Sequence, residues 1–421
     1  MSADVRIALA GIAGYGDSYL EALLNNPRTA WAGGRLVAVV DSAPQRCRRL
    51  DALAGRGIPV HESFDELFDA TAPAGGVDLM IICTPIHLHA RQTCFALRRG
   101  ASTLCEKPLA GTVEDALRMA ECERAAGDGR FVAIGYQWSF SHAVQALKRD
   151  VLAGTLGRPV RLKTVCFFPR PVTYFRRNDW VGRIRTEGGE AVHDSPTNNA
   201  TSHYLHNMLY LLGRTRETSA MPRTLQAELY RANDIENYDT TALRAELAGG
   251  AEVLFYTTHA VAGRVGPVCH FEFEHATVEY DFTGDDEFVA TFRDGTTRRY
   301  GRPDLDRNEK VWQSIAAVRS GDRVACGVEA ALPHTVCVAA AQRSAGSIGV
   351  FAEPLRRMIL VNGEPLVAIE GLAEGLVECY DRGILPAEHG RLGWARPGVR
   401  QELIESLRRE ASSLTAGVAA I

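Results

Sequence analysis

The segment STLCEKPLAG, residues 102–111, ends an apolar run in a charge pair, Glu106 and Lys107, and stops it with Pro108. An amine in such a place can pass a proton to or from a carbinol or carbonyl oxygen, because partial burial and a neighbouring cation both favour its neutral form. The proline fixes the turn, and a cis Lys–Pro bond is one way to aim the amine inward. In isolation the triplet reads as a surface ion pair at a strand end. A second stretch, ALAGIAGYGDSYLEALL, sets Gly11, Ala13 and Gly16 in the G-x-G-x-x-G spacing, with Gly14 and Tyr15 inside the loop. Small residues there let a backbone approach a pyrophosphate at the positive end of the following helix, and Ala13 departs from the pattern at some loss of closeness. LVAVVDS then ends a strand at Asp41, where a carboxylate accepts hydrogen bonds from a ribose diol. The same carboxylate repels the 2′-phosphate of NADP, so NAD is the expected cofactor. NADP stays possible because Arg46 follows closely.

These residues need elements to position them. From Val5 to Ile134 short apolar strands alternate with helical patterns, as in VRIALAG, YLEALLNN, RLVAVVD, SFDELFDA and VDLMIICTP. Such alternation predicts a parallel sheet with helices on both faces, a Rossmann NAD(P)-binding domain over residues 1–135. Thr84 and Pro85 end one of its strands and Glu106, Lys107 and Pro108 end the next, both at the carboxyl edge where open α/β sheets bind ligands. Beyond Tyr136 the rhythm changes to longer alternating strands joined by turn signals such as TGDD and RDGT. This pattern predicts an α+β domain over 136–350 with a large, mostly antiparallel open sheet, serving substrate binding and oligomerisation. An uncovered apolar sheet face is costly in water, which favours a homodimer or homotetramer. Helices return at about Glu309–Arg319 and Leu332–Ser344, and residues 351–421 read as a C-terminal extension packing on the other domains.

Composition sets the outer limits. A chain of 421 residues with 46% hydrophobic and 23% charged residues is that of a folded two-domain protein rather than a disordered one. A net charge of -4 gives no reason to expect nucleic acid or an anionic membrane as partner. No apolar run reaches the length of a bilayer span, and the opening MSADVRIALAGIAG lacks the basic start of a secretory signal, so a cytoplasmic location is expected. The 10 cysteines show no C-x-x-C and sit in apolar runs, which reads as reduced core residues.

The glycine loop, the T-P-x-x-x-H of TPIHLH from Thr84 and Pro85 to His89, a helix ending in R-x-G, and E-K-P-L-A together resemble the glucose-fructose oxidoreductase and inositol dehydrogenase family, Gfo/Idh/MocA. The resemblance covers about the first 350 residues. It implies an oxidoreductase in which the E-K-P lysine, here Lys107, is catalytic and the glycine loop, Asp41 and the TPIHLH and EKP segments line the cofactor. The family's second motif, roughly D-x-G-x-H-x-x-D-L-x-x-x-L-x-G, falls on NNATSHYLHNMLYLLG with Asn199 at the first aspartate, His203 at the histidine, His206 at the second aspartate and Gly213 at the end. His203 can share the acid–base step or hold the reacting oxygen. Asn199 cannot take a proton, yet can still bond a sugar-like hydroxyl. Asp194 is the nearby carboxylate able to stand in for the missing one.

The spacing of His203 and His206 invites a metal reading with Asp194 or His193, but i, i+3 spacing without a further ligand motif does not make a site, and none is expected. For His206 a satisfied core histidine is the simpler reading. RPVTYFRRNDWVGR interleaves Arg170, Arg176, Arg177 and Arg183 with Tyr174, Phe175 and Trp180. Aromatic faces stack on sugar rings and arginines grip carboxylates, which suits an anionic or glycosidic substrate, while a loop packed on a neighbouring subunit explains the same residues. Tyr136, in GYQWSF, is placed to reach the substrate at the crossing between domains. The expected activity is hydride transfer between nicotinamide and a carbinol or carbonyl of a sugar, cyclitol or related polyol. A redox-neutral NAD-dependent enzyme that cleaves or eliminates, and a non-catalytic dinucleotide sensor, are the alternatives. Retention of both Lys107 and His203 weighs against the sensor.

Overall fold

The computed structural model describes residues 4–127 and 129–403, which fold into two compact units. The first takes the chain up to Ala110, Asp115–Phe140 and Asp306–Ala331. The second takes Gly111–Glu114, Ser141–Leu305 and the chain from Leu332 onward.

In the first unit six short strands form one sheet: β1 (Val5–Ala10), β2 (Gly34–Val40), β3 (Val60–His61), β4 (Leu79–Ile82), β5 (Ser102–Cys105) and β6 (Val132–Ile134). Their order is β3-β2-β1-β4-β5-β6 and every pairing is parallel. Strands β4, β5 and β6 are buried throughout, as continuous apolar runs covered on both faces must be. The order reverses between β1 and β4, and a parallel sheet of this kind binds ligands at the carboxyl side of that reversal. The helix Glu309–Ser320, read from sequence as part of the second domain, instead packs on β1, β4 and β5. Its buried Val311, Trp312 and Ile315 form the stripe that docks, a local pattern that does not reveal which sheet receives it.

The expectation of wholly reduced cysteines is corrected here. Helices His89–Arg98 and Val113–Ala126 run side by side, and Cys94 and Cys122 form a disulfide with Cα atoms 5.4 Å apart. The two positions are 28 residues apart, and only the packing of the helices brings them together. The remaining eight are free, all but Cys83 buried.

The second unit is built on β7 (Pro159–Phe167), β8 (Thr224–Arg231), β9 (Thr240–Glu246), β10 (Glu252–Thr258), β11 (Val265–Phe273), β12 (Ala276–Asp281), β13 (Phe288–Phe292), β14 (Thr297–Gly301) and β15 (Gly349–Val350). A separate hairpin joins β16 (Arg356–Val361) to β17 (Glu364–Ile369), and β18 (Gln401–Glu402) adds to β8. The large sheet runs β14-β13-β12-β11-β7-β10-β9-β8-β15, antiparallel except for β7 with β10 and β8 with β15. One face receives the helix Ser202–Leu211, where Thr164 meets Met208.

The other face is covered over β7, β8, β9 and β10, and over β11 and β12 it carries the half-buried His270 and the exposed Glu279 and Asp281. Val165, Phe167, Tyr230, Leu254 and Tyr256 pack against Val367, Ile369, Leu372, Leu376, Cys379 and Leu385 of the extension. The helix Leu372–Arg382 carries an apolar stripe, and each fully buried leucine contributes roughly 1.5–3 kcal/mol, so the extension is held firmly on this part of the sheet. Polar ties fix its place. Lys163 donates to the carbonyls of Tyr380 and Asp381 at the helix C-terminus (3.0 and 3.2 Å), the Tyr256 hydroxyl donates to the Ile384 carbonyl (2.9 Å), and Arg244 pairs with Glu388 at 2.7 Å. Residues 404–421 of the extension lie outside the described residues. Among the described residues no helix is long and apolar enough to cross a membrane.

Glu228 makes this docking sensitive to pH. Its buried carboxylate accepts hydrogen bonds from the Ala387 N–H (3.0 Å) and the Tyr230 hydroxyl. Burial pushes its pKa up to about 7 against the pull of those bonds. The folded chain therefore holds a proton that the unfolded chain releases near pH 4.3, so stability falls as pH rises through that interval, by roughly 3 kcal/mol in all. Glu228→Gln is expected to flatten this slope. Urea unfolding at about pH 5 and about pH 8 measures it, and a variant with the wild-type slope would assign the effect elsewhere.

Candidate functional site

In the first unit the elements of the sequence reading meet at one sheet edge. Gly11 leaves β1 with φ +79°, and a Cβ there would sit 2.5 Å from the Cys83 carbonyl oxygen, so only glycine lets the exits of β1 and β4 lie this close. Gly14, at φ +57°, has open space where its Cβ would point. Ala13 accepts from the Gly16 N–H (3.0 Å) and is half-buried, and Gly16 opens the helix Gly16–Asn25. Asp41 caps the end of β2: one carboxylate oxygen accepts from the Ile12 N–H (2.9 Å) and the other from the Ala43 N–H (2.8 Å). Each oxygen keeps a lone pair for a ribose hydroxyl. A glycine turn with open space at Gly14, a helix start behind it and a fixed carboxylate fit the adenosine diphosphate half of a dinucleotide.

The EKP turn is held from beneath. The Lys107–Pro108 bond is cis, and Lys107 is half-buried at the carboxyl end of β5. Glu106, only 6% exposed, accepts from the Tyr19 hydroxyl (2.6 Å) and the Lys107 N–H (3.0 Å), and pairs with the Lys310 ammonium. Lys310 is 1% exposed and its ammonium lies 5.2 and 5.0 Å from the ring centres of Tyr15 and Tyr19. Burial would raise the Glu106 pKa, but the charge and hydrogen bond of Lys310, with Tyr19 and Lys107, hold it below the usual carboxylate value. Burial would likewise lower that of Lys310, and Glu106 with Tyr15 outweighs it. The pair is thus ionised through the neutral range, and Lys310 joins the glycine loop to the EKP turn. Sequence reading passed over it, because nothing local distinguishes it from a lysine on an ordinary helix.

The side chains of two residues expected at the cofactor are buried. Glu106 serves the buried network just described. His89 is buried with Nδ1 2.8 Å from the Pro108 carbonyl and Nε2 3.0 Å from that of Thr84, so it ties the two turns together. Thr84 bonds Gln92 through its hydroxyl and stays half-exposed with Pro85. The ring of Tyr136, expected to reach the substrate, is fully buried.

In the second unit, Asn199, Asp194 and His203 lie at the entrance to the helix Ser202–Leu211. Asp194 is buried and accepts from the Asn199 side-chain amide (2.8 Å) and the Gly182 N–H (2.7 Å), which orients Asn199 and closes the loop that carries Trp180. The Asn237 amide in turn donates to the Asp194 carbonyl (2.9 Å). Asn199, His203 and Trp180 are half-buried, and so have exposed surface to offer. His206 is fully buried and stacks on Tyr210 at 5.8 Å. Burial, with His334 and Lys148, holds its pKa well below the ordinary value, which keeps it a neutral core residue.

A Rossmann unit with a glycine loop and an acidic β2 terminus, continued by an α+β unit on a large mixed sheet, defines the two-unit nicotinamide oxidoreductases. Family models agree: the NAD-binding Rossmann fold of the oxidoreductase family matches residues 5–136, and the GFO/IDH/MocA C-terminal domain matches residues 144–279. The chain belongs to the Gfo/Idh/MocA oxidoreductase family. Inositol 2-dehydrogenase 1 of Saccharopolyspora erythraea is 33% identical over 172 residues, 41% of this chain and 48% of that protein. Inositol 2-dehydrogenase of Burkholderia vietnamiensis is 31% identical over 158 residues, 38% and 44% of the two chains. The chain thus spans less than half the length of these curated relatives. Among solved structures, the aldose-aldose oxidoreductase from Caulobacter crescentus, complexed with glycerol, superposes with a TM-score of 0.64 at 22% identity over 82% of this chain and 98% of that one. The WlbA dehydrogenase from Bordetella pertussis, in complex with NADH and UDP-GlcNAcA, gives 0.63 at 20% over 82% and 97%. These likenesses show the fold.

Proposed function

We propose that the protein is an NAD-dependent dehydrogenase acting on a CH–OH group of a sugar, cyclitol or related polyol. The observation that carries this reading is the EKP turn: a half-exposed amine at the carboxyl edge of a nucleotide-binding sheet, seated on a buried ion pair that reaches the glycine loop. Nicotinamide, when bound, supplies the site for hydride transfer. Lys107 moves the proton of the reacting hydroxyl. His203 and Asn199 hold neighbouring hydroxyls, with Asn199 aimed by Asp194 and Trp180 offering an aromatic face to the ring. Asp41 favours NAD over NADP by charge, with NADP the weaker ligand. The inositol dehydrogenases and the aldose enzyme among the similar proteins support a polyhydroxylated substrate.

A second reading is favoured by Asn199 itself. A motif whose first carboxylate is replaced by an amide has one proton acceptor fewer, which suits an enzyme that oxidises its substrate only transiently and returns the hydride. The test identifies the cofactor that purifies with the protein, then supplies NAD and a panel of sugars and cyclitols. Net reduction of nicotinamide is expected with at least one. Consumption of substrate without reduced cofactor would favour the redox-neutral reading, and binding without conversion would contradict both.

A further inference from the structure

Past the end of β7 the second unit gathers cations on aromatic rings. The Arg264 guanidinium lies 4.5 Å from the centre of Phe168 and 4.3 Å from that of Phe282. Arg170 lies 6.0 Å from Phe168 and 4.6 Å from Tyr174, and Arg177 lies 4.0 Å from Tyr174, with its Nη2 donating to the Tyr174 hydroxyl at 3.3 Å. One phenol ring therefore carries two guanidinium groups, and a third follows on the next ring. Among the described residues none of these three arginines has a carboxylate within ion-pair distance, and the Nε of Arg170 is buried without an acceptor. A buried donor left without an acceptor costs stability unless a ligand supplies one.

The cluster also adjoins the residues assigned to the substrate. Phe168 packs edge-on against Tyr204, 6.1 Å away, the residue that follows His203. Tyr174 senses the charge of Asp194, which holds Asn199. His259 packs between them, with Nδ1 2.7 Å from the Phe168 carbonyl and its ring 5.9 Å from Tyr174. Burial and the charge of Arg170 push its pKa down to about 3, so it is neutral and adds no cation. What remains is a cluster of guanidinium groups seated on aromatic rings, and a guanidinium binds planar or tetrahedral oxyanions with two parallel hydrogen bonds.

We infer that the substrate carries an anionic group, a carboxylate or a phosphate on its polyol frame, and that Arg170 and Arg177 grip it over Tyr174 with Arg264 as an outer cation. This rests on the reading of Asn199 and His203 as polyol contacts, and it narrows the substrate to acidic sugars or sugar phosphates.

Binding, rather than turnover, tests it. The NAD-loaded full-length protein is titrated calorimetrically with D-glucose, D-glucuronate, D-glucose 6-phosphate and inorganic phosphate. Either acidic sugar is expected to bind about 10- to 100-fold tighter than glucose, the effect of one or two charge-assisted hydrogen bonds. Which of the two binds tighter distinguishes carboxylate from phosphate. Arg170→Met and Arg177→Met are each expected to collapse the ratio of acidic to neutral affinity, with Arg177→Lys keeping part of it. Melting curves check that the variants fold, and Arg177, on the exposed part of the loop, serves if Arg170→Met does not. Equal binding of acidic and neutral sugars, an unchanged ratio in both methionine variants, or inorganic phosphate binding as tightly as the acidic sugars would each overturn the inference. Oxidation of neutral polyols with no arginine-dependent preference would sink this inference alone, and arginine-dependent binding with no hydride transfer would sink only the dehydrogenase reading.

Discussion

Lys107→Ala is expected to lower kcat by about 10²- to 10⁴-fold, the range for loss of a positioned general acid or base. The amine is the only proposed proton carrier on the first unit, and the substitution keeps the backbone bond from the Lys107 N–H to Glu106 at the end of β5. Removing the ammonium should therefore leave the turn folded. KM for the polyol should change less than kcat, since an interaction needed in the transition state weighs chiefly on the chemical step. Lys107→Arg provides the sharper control. A guanidinium keeps the charge but does not release its proton at any working pH, so it should fail to restore turnover. Recovery by arginine would show that charge alone matters at this position.

The second large effect is expected at Lys310. In Lys310→Met the Glu106 carboxylate stays buried without its cation, and breaking a buried pair from one side costs roughly 3–5 kcal/mol. Because Glu106 also holds the Lys107 N–H, kcat should fall together with stability. Combining it with Glu106→Gln removes the stranded charge, so the double variant should be more stable than Lys310→Met alone. Unfolding free energies of the four proteins form a double-mutant cycle, and a coupling below about 0.5 kcal/mol would place the two residues outside one network. The pH dependence follows the same logic. The lowered Glu106 pKa gives stability that is present above the unfolded carboxylate value and is lost as pH falls through the folded one. The raised Lys310 pKa gives stability lost only as pH rises past it.

What could be read from sequence was local. The glycine loop, Asp41 and the EKP turn each follow a strand within a few residues, so alternating apolar runs were enough to place them at one sheet edge. The NNATSHYLH segment was legible for the same reason, as a short motif entering a helix. Lys310 was not, since it meets Glu106 from 204 residues away and its helix looks like any other amphipathic segment. The spacing of His89 from Thr84 points to the cofactor. Its ring nitrogens answer to carbonyls of two separate turns, which spacing does not show. The covered part of the sheet face escaped for a related reason: Leu372, Leu376 and Leu385 are apolar positions whose partner could only be found in three dimensions.

The most direct test of the central claim follows the hydrogen itself. The NAD-loaded protein is given a polyol deuterated at its carbinol carbons, and the nicotinamide is recovered for mass spectrometry. One deuterium is expected on the reduced ring, arriving at the wild-type rate and far more slowly with Lys107→Ala. Product formed while no deuterium ever reaches the nicotinamide, or label arriving equally fast without Lys107, would contradict the account.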